Sequence, residues 1–204
     1  MKVIDISRPL LHAPVYPGDP APRLERLTAL ETGDDFTTSA LYACLHNGTH
    51  LDAPAHALPD APDVRQLPAD TFLGECTVIP FEGCMTGQQA ENLLAQLRRP
   101  TKRLLLKGRA TLTVPAAAVL ADAGLCLLGT ESASVADGAD TLATHRLLLE
   151  AGVALLEGLD LSGAQPDRYF LVAPPLPIEG AEASPVRALL VCRDDIDWHE
   201  GFWK

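Results

Sequence analysis

Between Leu45 and Leu58 the chain reads LHNGTHLDAPAHAL, a run that holds three of the protein's six histidines, His46, His50 and His56, with Asp52 two positions past the second. Neutral imidazoles and a carboxylate are the donor set taken by zinc and related divalent ions, and a metal-assisted reaction also needs a group that moves protons beside the ion. Four such side chains between positions 46 and 56 supply both. A polar surface loop is the plainer alternative, and it accounts for any single histidine better than for the set.

The spacing limits the shape. On an α-helix, at about 100° per residue, His46 and His50 share a face while Asp52 points away from it. In an extended strand all four side chains face one way, but His46 and His56 then lie roughly 33 Å apart. The chain must therefore fold back. Gly48 permits backbone angles closed to other residues, and Pro54 biases Ala53 away from helix. This reading puts His46 at the end of a strand, His50 and Asp52 on the turn after it, and His56 on the return.

Two residues in the second half of the chain are candidates to join the set. His145 stands three positions after Leu142 and four before Leu149, on the apolar stripe of a helix predicted over Asp140 to Ala151. A core histidine satisfied by a hydrogen bond is the plainer reading. Glu157 follows the apolar run VALL and precedes Gly158, at the carboxyl end of an inner strand, where parallel sheets gather their ligand sites. Asp160 is a rival carboxylate nearby. Tyr16, between prolines in PVYPGD, is either a wall for a substrate or an anchor for its loop.

The elements that must position these residues follow from pattern. Val3 to Ile6 reads as a strand, and Arg23 to Leu30 with Thr38 to His46 as an antiparallel pair across Gly33, Asp34 and Asp35. Glu75 to Phe81 is a strand. Thr86 and Gln89 form a capping box for a helix to about Arg98, before Pro100. Strands at Arg103 to Lys107, Leu125 to Gly129 and Val153 to Leu156 then alternate with helices at Pro115 to Ala123 and Asp140 to Ala151, and Tyr169 to Ala173 and Ala188 to Arg193 complete the count. The alternation predicts an α/β fold with a largely parallel central sheet and right-handed crossovers.

A chain of 204 residues with 47% hydrophobic and 21% charged content suits one domain over 1–204. A net charge of −11 with no run of lysine or arginine argues against nucleic acid and anionic membrane surfaces, leaving small-molecule chemistry. No segment approaches the eighteen or so apolar residues of a membrane span, and the N-terminus lacks the apolar stretch of a signal peptide, so a cytoplasmic location is expected. Five scattered cysteines, odd in number and never spaced as C-x-x-C, give neither a disulfide framework nor a cysteine metal site.

HNGTHLDAPAH resembles the H-x-G-T-H-x-D-x-P-x-H motif of the cyclase family of metal-dependent hydrolases, which includes the bacterial kynurenine formamidases. The resemblance continues through Asp5 to Ser7 (DIS), Pro14 to Asp19 (PVYPGD), Gly129 and Thr130, and Ala183 to Ala188 (ASPVRA), and so spans nearly the whole chain. It implies a mixed, partly parallel sheet of the swivelling β/β/α type and a homodimer. It implies further that His46, His50 and Asp52 bind one metal, and that Asp52 bridges to a second held by His145. Glu157, twelve positions past His145, bridges both and is thereby selected over Asp160, while His56 is the catalytic acid/base. Zinc is the first choice for the two divalent ions and manganese the alternative. Where those formamidases carry tryptophan this chain has Tyr16, which keeps a ring against the substrate but a smaller one.

The implied reaction is hydrolysis of N-formyl-L-kynurenine, or a similar N-formyl arylamine, to formate and the arylamine. A bound metal lowers the pKa of water from near 16 to around 7 and holds the oxyanion, and His56 relays a proton to the departing nitrogen. Hydrolysis of a cyclic amide such as isatin is a second enzymatic reading, and a metal-binding protein without turnover is a third. The imidazole of His56, spare beside a full ligand set, speaks against the third. Arg8 and Arg187 are candidates for holding a substrate carboxylate.

Overall fold

The computed structural model of the protein describes residues 2–97 and 99–192. Strand β1 (Val3–Asp5) opens the chain, followed by a hairpin of β2 (Arg23–Thr28) and β3 (Thr38–Tyr42). Strand β4 (His50–Asp52) comes next, then β5 (Leu73–Pro80) and the short β6 (Gly83–Met85). Helix α1 (Gly87–Gln96) follows; Thr86 Oγ1 accepts from the Gln89 backbone N–H while Gln89 Oε1 accepts from that of Thr86. The chain continues through β7 (Arg103–Lys107), β8 (Ala110–Leu112), α2 (Val114–Ala121), β9 (Leu127–Thr130), α3 (Thr141–Glu150) and β10 (Ala154–Glu157). It ends in β11 (Arg168–Val172), β12 (Ala183–Pro185) and β13 (Leu189–Cys192).

Among the described residues nine strands form one sheet in the order β1-β13-β11-β5-β7-β9-β10-β4-β12. Only its centre, β5-β7-β9-β10, is parallel; β1, β13 and β11 on one side and β4 and β12 on the other run antiparallel. The sheet is mixed and partly parallel, as the resemblance implies, and less parallel than alternation alone predicts. Helices intervene between β5 and β7, β7 and β9, and β9 and β10, and there the strands run parallel, as crossover connections require.

Strands β7, β9 and β10 are buried on both faces, as parallel strands under cover must be. Along β7, Leu105 joins one apolar cluster with Val78, Leu127, Leu156 and Leu171. Leu104 and Leu106 join the opposite cluster with Leu120 of α2 and Leu148 of α3. Each fully buried leucine contributes roughly 1.5–3 kcal/mol of transfer free energy. The helices lie in one layer, α2 packed against both α1 and α3. Among the described residues no helix is long and apolar enough to cross a membrane.

Several element boundaries move. The strand expected to deliver His46 stops at Tyr42, so His46 lies in a turn beyond its end. His50 and Asp52, placed on that turn by the sequence, instead form β4 itself. The helix expected to reach about Arg98 ends at Gln96, and Arg98 and Arg193, the ends of two predicted elements, lie outside the described residues. Leu142, assigned with His145 to an inward stripe, is 54% exposed, whereas His145 faces inward with Leu148 and Leu149.

Candidate active site

The site grows from β4. It lies between β10 and β12, with His50 opposite Glu157 in one register and Asp52 opposite Ala183 in the other. Alternation along an extended strand sends His50 and Asp52 to one face and Leu51 to the other, into the core. The chain reaches β4 through Gly48, in the left-handed region at φ +70°. It passes so close to the turn after β10 that a Cβ on Gly158 would lie 2.3 Å from the Gly48 carbonyl oxygen. After Ala53 the chain turns at Pro54–His56, which returns His56 toward the site.

Side chains distant in sequence meet here. His46 Nδ1 is 2.9 Å from Asp52 Oδ1, and His50 Nε2 is 3.5 Å from the same oxygen and 3.4 Å from Glu157 Oε2. From α3, His145 Nε2 lies 3.4 Å from Glu157 Oε1 and 3.9 Å from Asp52 Oδ2. The His56 ring centre is 4.3 Å from that of His46 and 5.4 Å from that of His145. All six metal and acid/base candidates from the sequence are thus in one cluster. Asp160, the rival carboxylate, is exposed and accepts instead from the Ser162 backbone.

Surrounding contacts aim these donors. His50 Nδ1 donates to the Gly48 carbonyl at 3.1 Å and His145 Nδ1 to the Thr141 carbonyl at 2.8 Å, leaving each neutral ring with its Nε2 lone pair facing the carboxylates. His46 is oriented from the other side: its Nε2 is 3.2 Å from Glu182 Oε1, which frees Nδ1 for the centre. Glu157 Oε1 accepts from the Val135 backbone N–H at 2.8 Å. Glu182 was not singled out in the sequence; the one available signal was that a ligating histidine needs a partner for its second nitrogen.

Asp52 is fully buried, and among the described residues neither of its carboxylate oxygens, nor His50 Nε2, makes a hydrogen bond of regular geometry; their close neighbours are the other donors of the cluster. Burying an ionised carboxylate and imidazole nitrogens without partners is costly unless a cation supplies them, so this donor set fits a divalent metal. Two overlapping groups have donor atoms within 4.8 Å of one another, His46 with Asp52 and His56, and His50 with Asp52 and Glu157. They share Asp52 but cross the division of ligands implied by the resemblance, because His56 falls among the donors of the first group.

The charges are strongly coupled. Burial opposes protonation of His50, but Asp52 and Glu157 outweigh it and push its pKa up to about 9. His46 and His145 are raised too, burial again being overcome, by Asp52 for the first and chiefly by Glu157 for the second. Glu157, despite its burial, is driven well below the usual carboxylate range by His145 and His50. His56 goes the other way: burial lowers its pKa and its neighbours His46 and His145 add to this, against the pull of Asp52.

A ligating imidazole must be neutral, so protons compete with metal until the pH passes these raised values. Affinity of the metal-free protein for zinc should therefore climb from pH 6.5 toward 9, by about tenfold per pH unit for each proton displaced. Competition with a chromophoric chelator at several pH values measures this. A flat profile would mean that the rings are already neutral in the free protein.

A cavity of about 260 Å³ opens over the cluster, lined by Tyr16, His46, His50, His56, His145 and Glu157 among others. Tyr16 is 51% exposed at its rim, which fits a wall better than an anchor buried in the body. A stacked aromatic pair is worth about 0.5–1.5 kcal/mol beyond burial. With an aromatic substrate, Tyr16→Ala should raise KM more than tenfold and Tyr16→Trp should lower it several-fold, with kcat little changed in both. Unchanged KM values in both variants would return Tyr16 to the role of loop anchor.

The family model for cyclases matches residues 4–137. The kynurenine formamidase of Salinibacter ruber is 35% identical over 93% of this chain and 97% of its own length. That of Sphingopyxis alaskensis is 33% identical over the same shares. Among solved structures, a predicted metal-dependent hydrolase from Bacillus stearothermophilus superposes with a TM-score of 0.78 at 28% identity, covering 93% of this chain and 97% of that one. Isatin hydrolase A from Labrenzia aggregata superposes at 0.80 with 22% identity over 93% of each chain, a likeness of fold alone.

Proposed function

The chain belongs to the cyclase family and is a metal-dependent hydrolase of C–N amide bonds, and from that premise we propose that it hydrolyses N-formyl-L-kynurenine, or a similar N-formyl arylamine, to formate and the arylamine in tryptophan catabolism in the cytoplasm. The observation that carries this reading is the convergence of His46, His50, His145 and Glu157 on a buried Asp52 whose oxygens make no hydrogen bond of regular geometry among the described residues, with His56 alongside. The two formamidases that share a third of the sequence over nearly full length supply the substrate class. Likeness to isatin hydrolase reaches only the fold.

In this reading His46, His50, Asp52, His145 and Glu157 hold two divalent ions, with zinc preferred to manganese. Bound there, the metal supplies Lewis acidity toward the formyl carbonyl and makes water acidic enough to attack at neutral pH. His56, whose lowered pKa keeps its ring neutral, accepts a proton from the attacking water and passes it to the departing aniline nitrogen. Tyr16 covers the aromatic ring of the substrate at the mouth of the cavity.

Metal analysis of the purified protein, coupled to assays on N-formylkynurenine, N-formylaniline and isatin, tests this reading. About two ions per chain and turnover of the formamides are expected. A single ion under saturating metal, together with opening of isatin but no formamide hydrolysis, would hand the assignment to the cyclic amides.

A homodimer belongs to the same proposal. Among the described residues the β2–β3 hairpin pairs with no other strand, and Leu27, Leu30 and Phe36 are exposed at 58%, 62% and 76%. Two strands alone are marginal in water, and clustered exposed apolar side chains call for a cover, which a second copy would supply. Light scattering should give twice the chain mass, and Phe36→Glu with Leu27→Glu should reduce it to one. A wild-type monomer would remove the dimer from the proposal.

A further inference from the structure

We propose that Arg8 anchors a carboxylate on the substrate, so that the enzyme prefers N-formyl arylamines whose side chain bears one; this rests on the formamide reading above. Arg8 lines a small cavity together with Tyr16, His46, Gly48 and Gly158, and that cavity shares Tyr16, His46 and Ala133 with the one over the metal ligands. Among the described residues lining the two it is the only lysine or arginine.

Its position is built into the site. The Arg8 backbone N–H donates to Thr49 Oγ1 at 2.8 Å, and that hydroxyl donates to the Gly158 carbonyl at 2.7 Å, so Arg8 is tied to the neighbours of both His50 and Glu157. In its guanidinium, Nε donates to the Leu159 carbonyl at 2.9 Å and Nη2 to the Glu131 carbonyl at 3.0 Å. These two bonds fix the plane without neutralising the charge, and a guanidinium has five donors in all. The Glu131 carboxylate, the nearest in sequence to that contact, is already taken by the backbone N–H groups of Gly108 and Leu161.

Asp160 is close enough to feel Arg8, yet Arg8 forms no ion pair among the described residues. A pre-oriented, unpaired guanidinium beside a cleft in a chain of net charge −11 is suited to a planar carboxylate, which it can grip through two parallel bonds. Arg187, the other candidate, is excluded by place: its side chain is 78% exposed, and its Nε and Nη2 are both spent on Asp5.

The test uses a matched pair, N-formyl-L-kynurenine and N-formylkynuramine, which differ by the carboxylate alone. Wild type should favour the first, and Arg8→Gln should raise its KM about 10- to 100-fold, the worth of a charged hydrogen-bonded contact, while leaving the second unchanged. Arg8→Lys, which keeps the charge and loses the fork, should restore part of the preference. Equal loss on both substrates would mean that Arg8 only supports the fold, and equal KM values in wild type would mean that no carboxylate is read; either result overturns the proposal. Should wild type hydrolyse neither formamide, the formamide reading fails by itself. Calorimetry with L-kynurenine and kynuramine then still decides Arg8: a preference for the former that Arg8→Gln abolishes upholds the anchor, and equal binding removes it.

Discussion

Replacing Asp52 with alanine should leave the chain without bound metal and cut amide hydrolysis by more than about 10⁴-fold, because water without a metal has a pKa near 16 and not near 7. Asp52 is the one donor common to both groups that could hold an ion, and among the described residues it alone stands within 4 Å of His46, His50 and His145. Alanine removes the shared anion and also the charge that raises the His46 and His50 pKa values. Glu157 still stands beside His50 and His145, so their charges stay partly balanced and circular dichroism should show a folded chain with an empty centre. Retention of one tightly held ion per chain would show that Asp52 bridges nothing, and the binuclear arrangement would have to be redrawn.

The second large effect separates a ligand from a proton carrier. His56→Ala should lower turnover by about 10²- to 10⁴-fold, the usual contribution of an acid/base, with metal content unchanged. The geometry makes this a sharp question, since His56 shares a potential ion site with His46 and Asp52. The pH profile gives a second readout. A base works in its neutral form, so the acid limb of kcat/KM should fall as pH drops through a pKa below 6.5, the ordinary histidine value. Bound cations would push that limb lower still. In His56→Ala the limb should vanish; loss of metal in that variant would make His56 a ligand.

The donors of this site were legible in the sequence because chemistry restricts their types, whereas their geometry was not. Periodicity found the longer strands and the capping box at Thr86, since those signals are local, but not the three-residue β6, β8 and β12. It missed strand direction in the flanks of the sheet, which depends on what returns the chain and leaves no mark on alternation. β4 was misplaced for a related reason. His50, Leu51 and Asp52 do alternate, but three residues are too few to mark a strand, and it is held by β10 and β12 on either side of it. Glu182 escaped notice because its contact with His46 depends on β12 arriving beside β4. Glu157 was found because it ends an apolar run, a place where side chains leave a sheet.

The same pairing of β4 with β10 and β12 has a consequence for the order of assembly. During synthesis the segment carrying His46, His50 and Asp52 leaves the ribosome long before residues 154–157 and 183–185 exist to pair with it. Until then β4 has neither neighbour, its histidines lack Glu157 and Glu182, and any ion it meets is held by a flexible loop. The centre is made of contacts distant in sequence, whose loop-closure cost is met before they stabilise anything, so it should be among the last parts of the chain to become ordered. Metal offered to a chain stopped before Ala154 should bind as it would to a short peptide, and the tight site should emerge only in chains that include β12.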